Sequence, residues 1–208
     1  MEAQTKETQD KMTPDKSLNE LKLGNQRFVN KNQLNRDLLQ QVKETSTGQY
    51  PFATILSCID SRVSSELIFD QGIGDIFSVR IAGNFVNEDI LGSMEFACKL
   101  AGTKLIVVLG HTACGAVKGA CDHARLGNLT ALINKIEPAV DAVIEPQDKS
   151  LRNSSNIEFV NRVAEKNVEM TISEIRSASS VLNEMEKNGE IKIIGGIYDI
   201  ASGLVNFN

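Results

Sequence analysis

The sequence predicts an α/β fold: a mostly parallel central sheet flanked by helices, with an N-terminal helical arm before it and a C-terminal edge strand. Three observations lead there. Short, nearly unbroken apolar runs occur at Ala53 to Leu56, Ile76 to Ile81, Leu105 to Leu109 and Ile191 to Ile197. Segments of helical period separate them, notably Asp89 to Ala101, Asn128 to Ile144 and Glu158 to Lys187. The strand runs show little apolar/polar alternation, which belongs to a parallel sheet whose crossover helices cover both faces.

The elements follow in chain order. Met1 to Asp15 is polar and poor in large apolar residues, so residues 1–15 read as a flexible lead-in. Thr13-Pro14 is a helix start signal, and Leu18, Leu21, Phe28 and Val29 recur near helical spacing after it, so residues 16–47 read as a helical arm that packs on something, a second subunit included. The first strand is followed by a short helix over Val63 to Phe69. After the second strand, Ile90, Leu91, Met94, Ala97, Cys98 and Ala101 line one helix face that carries the chain to the third strand. Gly72 to Asp75 lacks dinucleotide-loop spacing and reads as an ordinary turn. Glu145 to Asn156 is polar but separates no second core, and no internal repeat is visible, so residues 1–208 form a single domain. A chain of 208 residues buries roughly 70% of its unfolded surface without needing disulfides.

Composition narrows the function classes. With 22 basic against 27 acidic residues, a net charge of −5 and no basic stripe, the electrostatic footprint of a nucleic-acid binder is missing. The longest strongly apolar run, Leu105 to Leu109, is far short of the roughly 20 residues a membrane span requires. No apolar secretory segment is present near Met1, so the expected compartment is the cytoplasm, or the periplasm if a leader was removed ahead of Met1. Four cysteines without close pairs suit thiols used for packing or metal in a reducing compartment.

Ligands of parallel sheets sit beyond the carboxyl ends of the strands. Two such ends carry chemistry: Ser57-Cys58-Ile59-Asp60-Ser61-Arg62 and Gly110-His111-Thr112-Ala113-Cys114-Gly115. If both loops open on one sheet edge, two thiols, an imidazole and a carboxylate meet. Two cysteinates and a histidine form a three-ligand zinc shell with an open fourth position, for which Asp60 is the candidate occupant or neighbour. Thiolates favour zinc over magnesium or calcium, and redox-inert zinc suits hydration or hydrolysis. Gly110 and Gly115 would let the backbone turn tightly around the ion. Two other readings stay open: buried structural thiols with a core histidine and a surface Asp60–Arg62 pair, or a thiol hydrolase with Cys58 or Cys114 as nucleophile and His111 as base. Cys98 and Cys121 read as core, and His123 as a solvated surface histidine.

Cys58 to Val63 and Gly110 to Gly115 resemble the two signatures of the β-class carbonic anhydrases, and Val79-Arg80-Ile81-Ala82-Gly83-Asn84 resembles that family's intervening strand-loop segment. The resemblance implies one zinc per chain on Cys58, His111 and Cys114, and a catalytic dyad of Asp60 and Arg62. It also implies that Asp60 either pairs with Arg62, leaving the site open, or swings in as fourth ligand in a closed state. Gln49, nine residues before Cys58, matches a glutamine that binds a substrate oxygen, often across a dimer interface. Phe77 matches an aromatic lining the carbon dioxide pocket, with Val63 and Phe96 as further apolar wall. Two positions depart from plant-type members: Phe96 replaces a tyrosine, and Leu100 a histidine implicated in proton transfer. With no tryptophan, the chain cannot build the tryptophan-based bicarbonate pocket of allosteric bacterial members, which favours the open-site type. The implied activity is reversible hydration of carbon dioxide by a homodimer or tetramer, with no nucleic-acid or membrane partner. Hydrolysis of carbonyl sulfide or carbon disulfide at the same zinc, or a non-enzymatic zinc-binding assembly role, are the alternatives.

Overall fold

A computed structural model describes residues 2–208. Three helices come first: α1 (Lys6–Asp10), α2 (Pro14–Val29) and α3 (Leu38–Glu44). The sheet then alternates with helices as β1 (Ala53–Ser57), α4 (Ser65–Ile68), β2 (Ile76–Arg80), α5 (Glu88–Glu95), β3 (Leu105–His111), α6 (Gly115–Cys121), α7 (Gly127–Ala142), α8 (Ile157–Ala178), α9 (Ser180–Lys187), β4 (Lys192–Tyr198) and β5 (Val205–Phe207). Strand order is β2-β1-β3-β4-β5, parallel except for the antiparallel β4–β5 pair. Every residue of β1 and β3 is buried, which accounts for their unbroken apolar reading. From β1 the chain first steps outward to β2 and then returns past β1 to β3, so β1 and β3 flank the topological switch point, beyond whose carboxyl ends such sheets bind ligands.

The structure departs from the sequence reading in four places. The expected flexible lead-in contains α1, capped by Thr5, and the buried Gln9 amide donates to the Pro51 and Ala101 carbonyls at 2.8 Å each. A polar side chain that docks through backbone carbonyls leaves no apolar periodicity to read. The helix expected over Glu158 to Lys187 breaks at Ser179, whose extended backbone ends α8 while its hydroxyl accepts from the Leu182 N–H and caps α9. The helix expected over Asp89 to Ala101 loosens into a π-helical turn, Phe96–Leu100, after α5. Finally, the Ile191 to Ile197 run is an interior strand, and the edge is the three-residue β5, too short to carry a strand pattern. Among the described residues no helix is long and apolar enough to cross a membrane.

Candidate metal centre

Because Ser57 pairs with Leu109, Cys58 emerges from β1 beside the end of β3, where His111 is the last strand residue. Cys114 lies three positions on, as the residue preceding α6. The ligating atoms of Cys58, His111 and Cys114 all lie within 4.8 Å of one another, the sulfurs 3.9 Å apart as free thiols. All three residues are buried, His111 completely.

The histidine's tautomer follows from its partner. His111 Nδ1 lies 3.0 Å from the Thr112 carbonyl, which can only accept, so Nδ1 carries the proton and Nε2 presents a lone pair. That Nε2 is buried and, among the described residues, has no hydrogen-bond partner. The Cys58 thiol is pulled well below its ordinary value, first by the hydrogen bond with Cys114, then by His111 and the Gly83 N–H, against burial. Cys114 is pushed the opposite way by its contact with Cys58 and by burial.

Asp60 stands outside the ligand set. Arg62 grips it bidentately, Nε to Oδ1 at 2.9 Å and Nη2 to Oδ2 at 2.7 Å, and the Arg62 N–H adds a bond of 3.0 Å to Oδ1. The Arg62 guanidinium holds the Asp60 carboxyl well below the usual carboxylate range. Its Oδ2 is 3.9 Å from His111 Nε2, so the carboxylate borders the three ligands without joining them.

Backbone supports complete the centre. Arg80, at the end of β2, donates to the carbonyls of Cys58 at 3.0 Å and Asp60 at 2.7 Å, pinning the first loop from both sides of Ile59. In the second loop Ala113 takes a left-handed backbone at φ 54°, and its N–H donates to Asn161 Oδ1 on α8 at 2.9 Å. The tight turn thus falls on Ala113 and not on the glycines expected to make it. Gly110 is required for another reason: a Cβ there would lie 2.7 Å from Val168 Cγ2, so its absence lets α8 sit close on β3. Sequence reasoning did not find Arg80 or Asn161 as supports. Arg80 stood inside a quoted segment, but Asn161 looks like any polar helix residue.

The remaining candidates lie elsewhere. Gln49 is exposed on the segment before β1, a five-residue strand of roughly 16 Å that Cys58 follows at its other end. Phe77 and Phe96 meet edge to face at 6.3 Å beside β2, in a groove of about 840 Å³ that contains none of the three ligands. Val63 is fully buried, in the cluster that includes Ile68 and Phe69. Cys98 and Cys121 are buried, each pushed up to about 11 by burial, and exposed His123 pairs with Glu137 at 2.9 Å.

The family model for carbonic anhydrase matches residues 53–205. Carbonic anhydrase 2 of Mycobacterium tuberculosis is 34% identical over 163 residues, covering 76% of this chain and 74% of that protein. The Pseudomonas aeruginosa carbonic anhydrase is 30% identical over 173 residues, covering 80% and 77%. Among solved structures, the β-carbonic anhydrase CafA of Aspergillus fumigatus superposes with a TM-score of 0.71 at 29% identity, covering 82% of this chain and 81% of that one. A tetrameric β-carbonic anhydrase of Sordaria macrospora gives 0.67 at 25% identity, covering 78% and 82%. A sheet-edge cluster of two thiols and an imidazole, set within these similarities, leads to one conclusion: the chain belongs to the β-class carbonic anhydrases.

Proposed function

We propose that Cys58, His111 and Cys114 hold one zinc ion per chain, beside which carbon dioxide is reversibly hydrated to bicarbonate and a proton. The observation that carries this reading is the buried, unpartnered Nε2 of His111 facing two thiols. A buried lone pair left without a donor costs about 1–3 kcal/mol, and a soft divalent cation satisfies it together with both sulfurs. Zinc bound there supplies Lewis acidity that brings the deprotonation of water to about pH 7.

The chain's own groups do the rest. Asp60, kept anionic by Arg62, accepts a hydrogen bond from the attacking water and turns its lone pair toward carbon dioxide. Because Arg62 engages both carboxylate oxygens, it also keeps Asp60 out of the ligand set, which supports the open-site state. The dyad is thereby a positional device: the same bidentate grip orients the base and prevents self-inhibition.

The substrate wall comes from a second copy. Gln49 precedes the amino end of β1, and the Phe77–Phe96 groove along the β2 edge contains none of Cys58, His111 and Cys114, which supports their serving a partner's centre. A homodimer that brings a partner's loop and groove over the carboxyl edge gives the centre a hydrogen-bond donor and an apolar pocket fit for a small, linear molecule. The Sordaria macrospora relative is tetrameric, and pairing of such dimers is the corresponding higher assembly here.

Metal analysis beside a stopped-flow carbon dioxide hydration assay tests the reading. About one zinc per chain is expected, with both metal and activity lost in Cys58→Ser, because a serine hydroxyl is a hard, weakly acidic substitute. Full zinc occupancy in Cys58→Ser overturns the assignment. The same assay run with carbonyl sulfide and carbon disulfide ranks the substrates.

A further inference from the structure

Two glycines bring α8 unusually near the sheet. A Cβ at Gly195 on β4 would meet Val168 Cγ1 at 2.7 Å, as one at Gly110 on β3 would meet its Cγ2. The residue before Val168 is Asn167, a carboxamide only 3% exposed. At this short distance its Nδ2 donates to the Gly83 carbonyl at 2.7 Å, 84 positions away in sequence. Gly83 in turn sends its N–H to Cys58 Sγ at 3.4 Å. The turn that does this is left-handed at both Gly83 (φ 77°) and Asn84 (φ 42°), and a Cβ at Gly83 would run into Ile136 Cδ1. A strained two-residue turn holds its orientation only if its surroundings fix it.

We propose that Asn167 is a positioning residue of the metal centre: by anchoring the Gly83 carbonyl it aims the Gly83 N–H at the Cys58 sulfur, orienting that ligand and tempering its charge toward the ion. The proposal rests on the reading of Cys58 as a zinc ligand. Outer hydrogen bonds of this kind orient ligands and tune the metal, and their loss commonly costs about 10–100-fold in metal affinity or activity. Among the described residues no other side chain donates to the Gly83 carbonyl, whereas the first loop has the independent support of Arg80.

The test uses wild type, Asn167→Leu, which keeps the branched shape in a somewhat larger side chain without a donor, and Asn167→Ser, which is small enough to fold should leucine not fit. Zinc is titrated into each apoprotein against a chromogenic chelator, and the thiolate-to-metal charge-transfer absorption of the cobalt(II)-substituted proteins is recorded. Zinc affinity is expected to fall about 10- to 100-fold in the variants, with the charge-transfer band displaced. A folded variant with affinity within about twofold of wild type and an unmoved band overturns the proposal, even if its melting temperature is lowered, because that is the signature of a purely structural role. A measurement on wild type needs no variant: in protein loaded with an NMR-active cadmium isotope, the Gly83 amide proton is expected to show scalar coupling to the metal through the sulfur. Absence of that coupling overturns the proposal while leaving the ligand set intact. Wild type that takes up no zinc overturns the ligand set, and the proposal with it.

Discussion

Arg62 and Asp60 illustrate how much a single pair can decide. A bidentate guanidinium keeps the carboxylate charged and places it 3.9 Å from the imidazole nitrogen, where in the proposed mechanism it would act on water and not on metal. Asp60→Asn is therefore expected to retain zinc, since the three ligands are untouched, yet to lose roughly 10–100-fold in kcat/KM. Metal content and hydration rate measured on one preparation check this, and wild-type activity would remove the dyad from the mechanism. Phe96 and Leu100, 52% and 76% exposed, offer no titrating group for carrying away the proton made in each turnover. Turnover is accordingly expected to depend on external buffer, imidazole-type buffers raising kcat while kcat/KM stays nearly constant, because proton removal follows the attack on carbon dioxide. Initial rates over a buffer series at fixed pH and ionic strength give the answer. A kcat already saturated at the lowest buffer concentration would point to an internal relay, with His123→Ala the first substitution to try.

Asp70 shows how elements are tied together around the sheet. It follows α4 with a left-handed backbone, φ 46°, and accepts from Arg27 Nε of α2 at 2.5 Å, from Arg36 Nη1 at 2.6 Å and from the Leu34 N–H at 3.2 Å. Burial pushes its carboxyl up, but these donors outweigh it and hold it below the usual range. A lowered folded-state pKa means that the stabilisation is complete above the unfolded value, about 4, and fades as pH falls below it. Asp70→Asn, which tolerates the left-handed backbone but loses the charge, is expected to cost about 3 kcal/mol at neutral pH. Urea unfolding at a series of pH values should show that gap narrowing below about pH 4, where the wild-type carboxylate also takes up a proton; a gap independent of pH would mean that geometry, not charge, holds the arm. The α8–α9 break makes the opposite point about legibility. Ser179 sits in a continuous helical pattern, and only its hydrogen bonds to Leu182 N–H and Glu95 Oε1 reveal the corner.

For the whole molecule, polarity of the sheet governs where function can be built. Cys58 and His111 stand at the carboxyl edge, Gln49 precedes the amino end of β1, and Phe77 lies on the edge strand, opposite Thr54. The proposed dimer is what would bring them into one pocket. Mixing Gln49→Ala with Cys58→Ser protein under conditions of subunit exchange is then expected to restore activity. Each hybrid dimer carries one intact site, built from Cys58 of one chain and Gln49 of the other. Activity of the mixture no greater than the sum of the separate variants, with exchange verified by sedimentation of tagged chains, would place Gln49 outside the neighbour's site.

By itself the sequence determined the α/β class and all four parallel strands, because the apolar runs of β1 and β3, buried on both faces, and the shorter runs of β2 and β4 leave a signal at the level of single positions. It also pointed to the cluster of Cys58, His111 and Cys114 and to the Asp60–Arg62 pair, since thiols, an imidazole and a carboxylate at strand ends announce their chemistry by residue type. Tertiary structure alone decided which side chains support them. Arg80, Asn161 and Asn167 act through backbone carbonyls and amides, and Gly110 acts by the close approach of α8. Such roles depend on distances between segments remote in sequence, and a polar residue that spends its hydrogen bonds on a distant backbone looks, in the sequence, the same as one facing water.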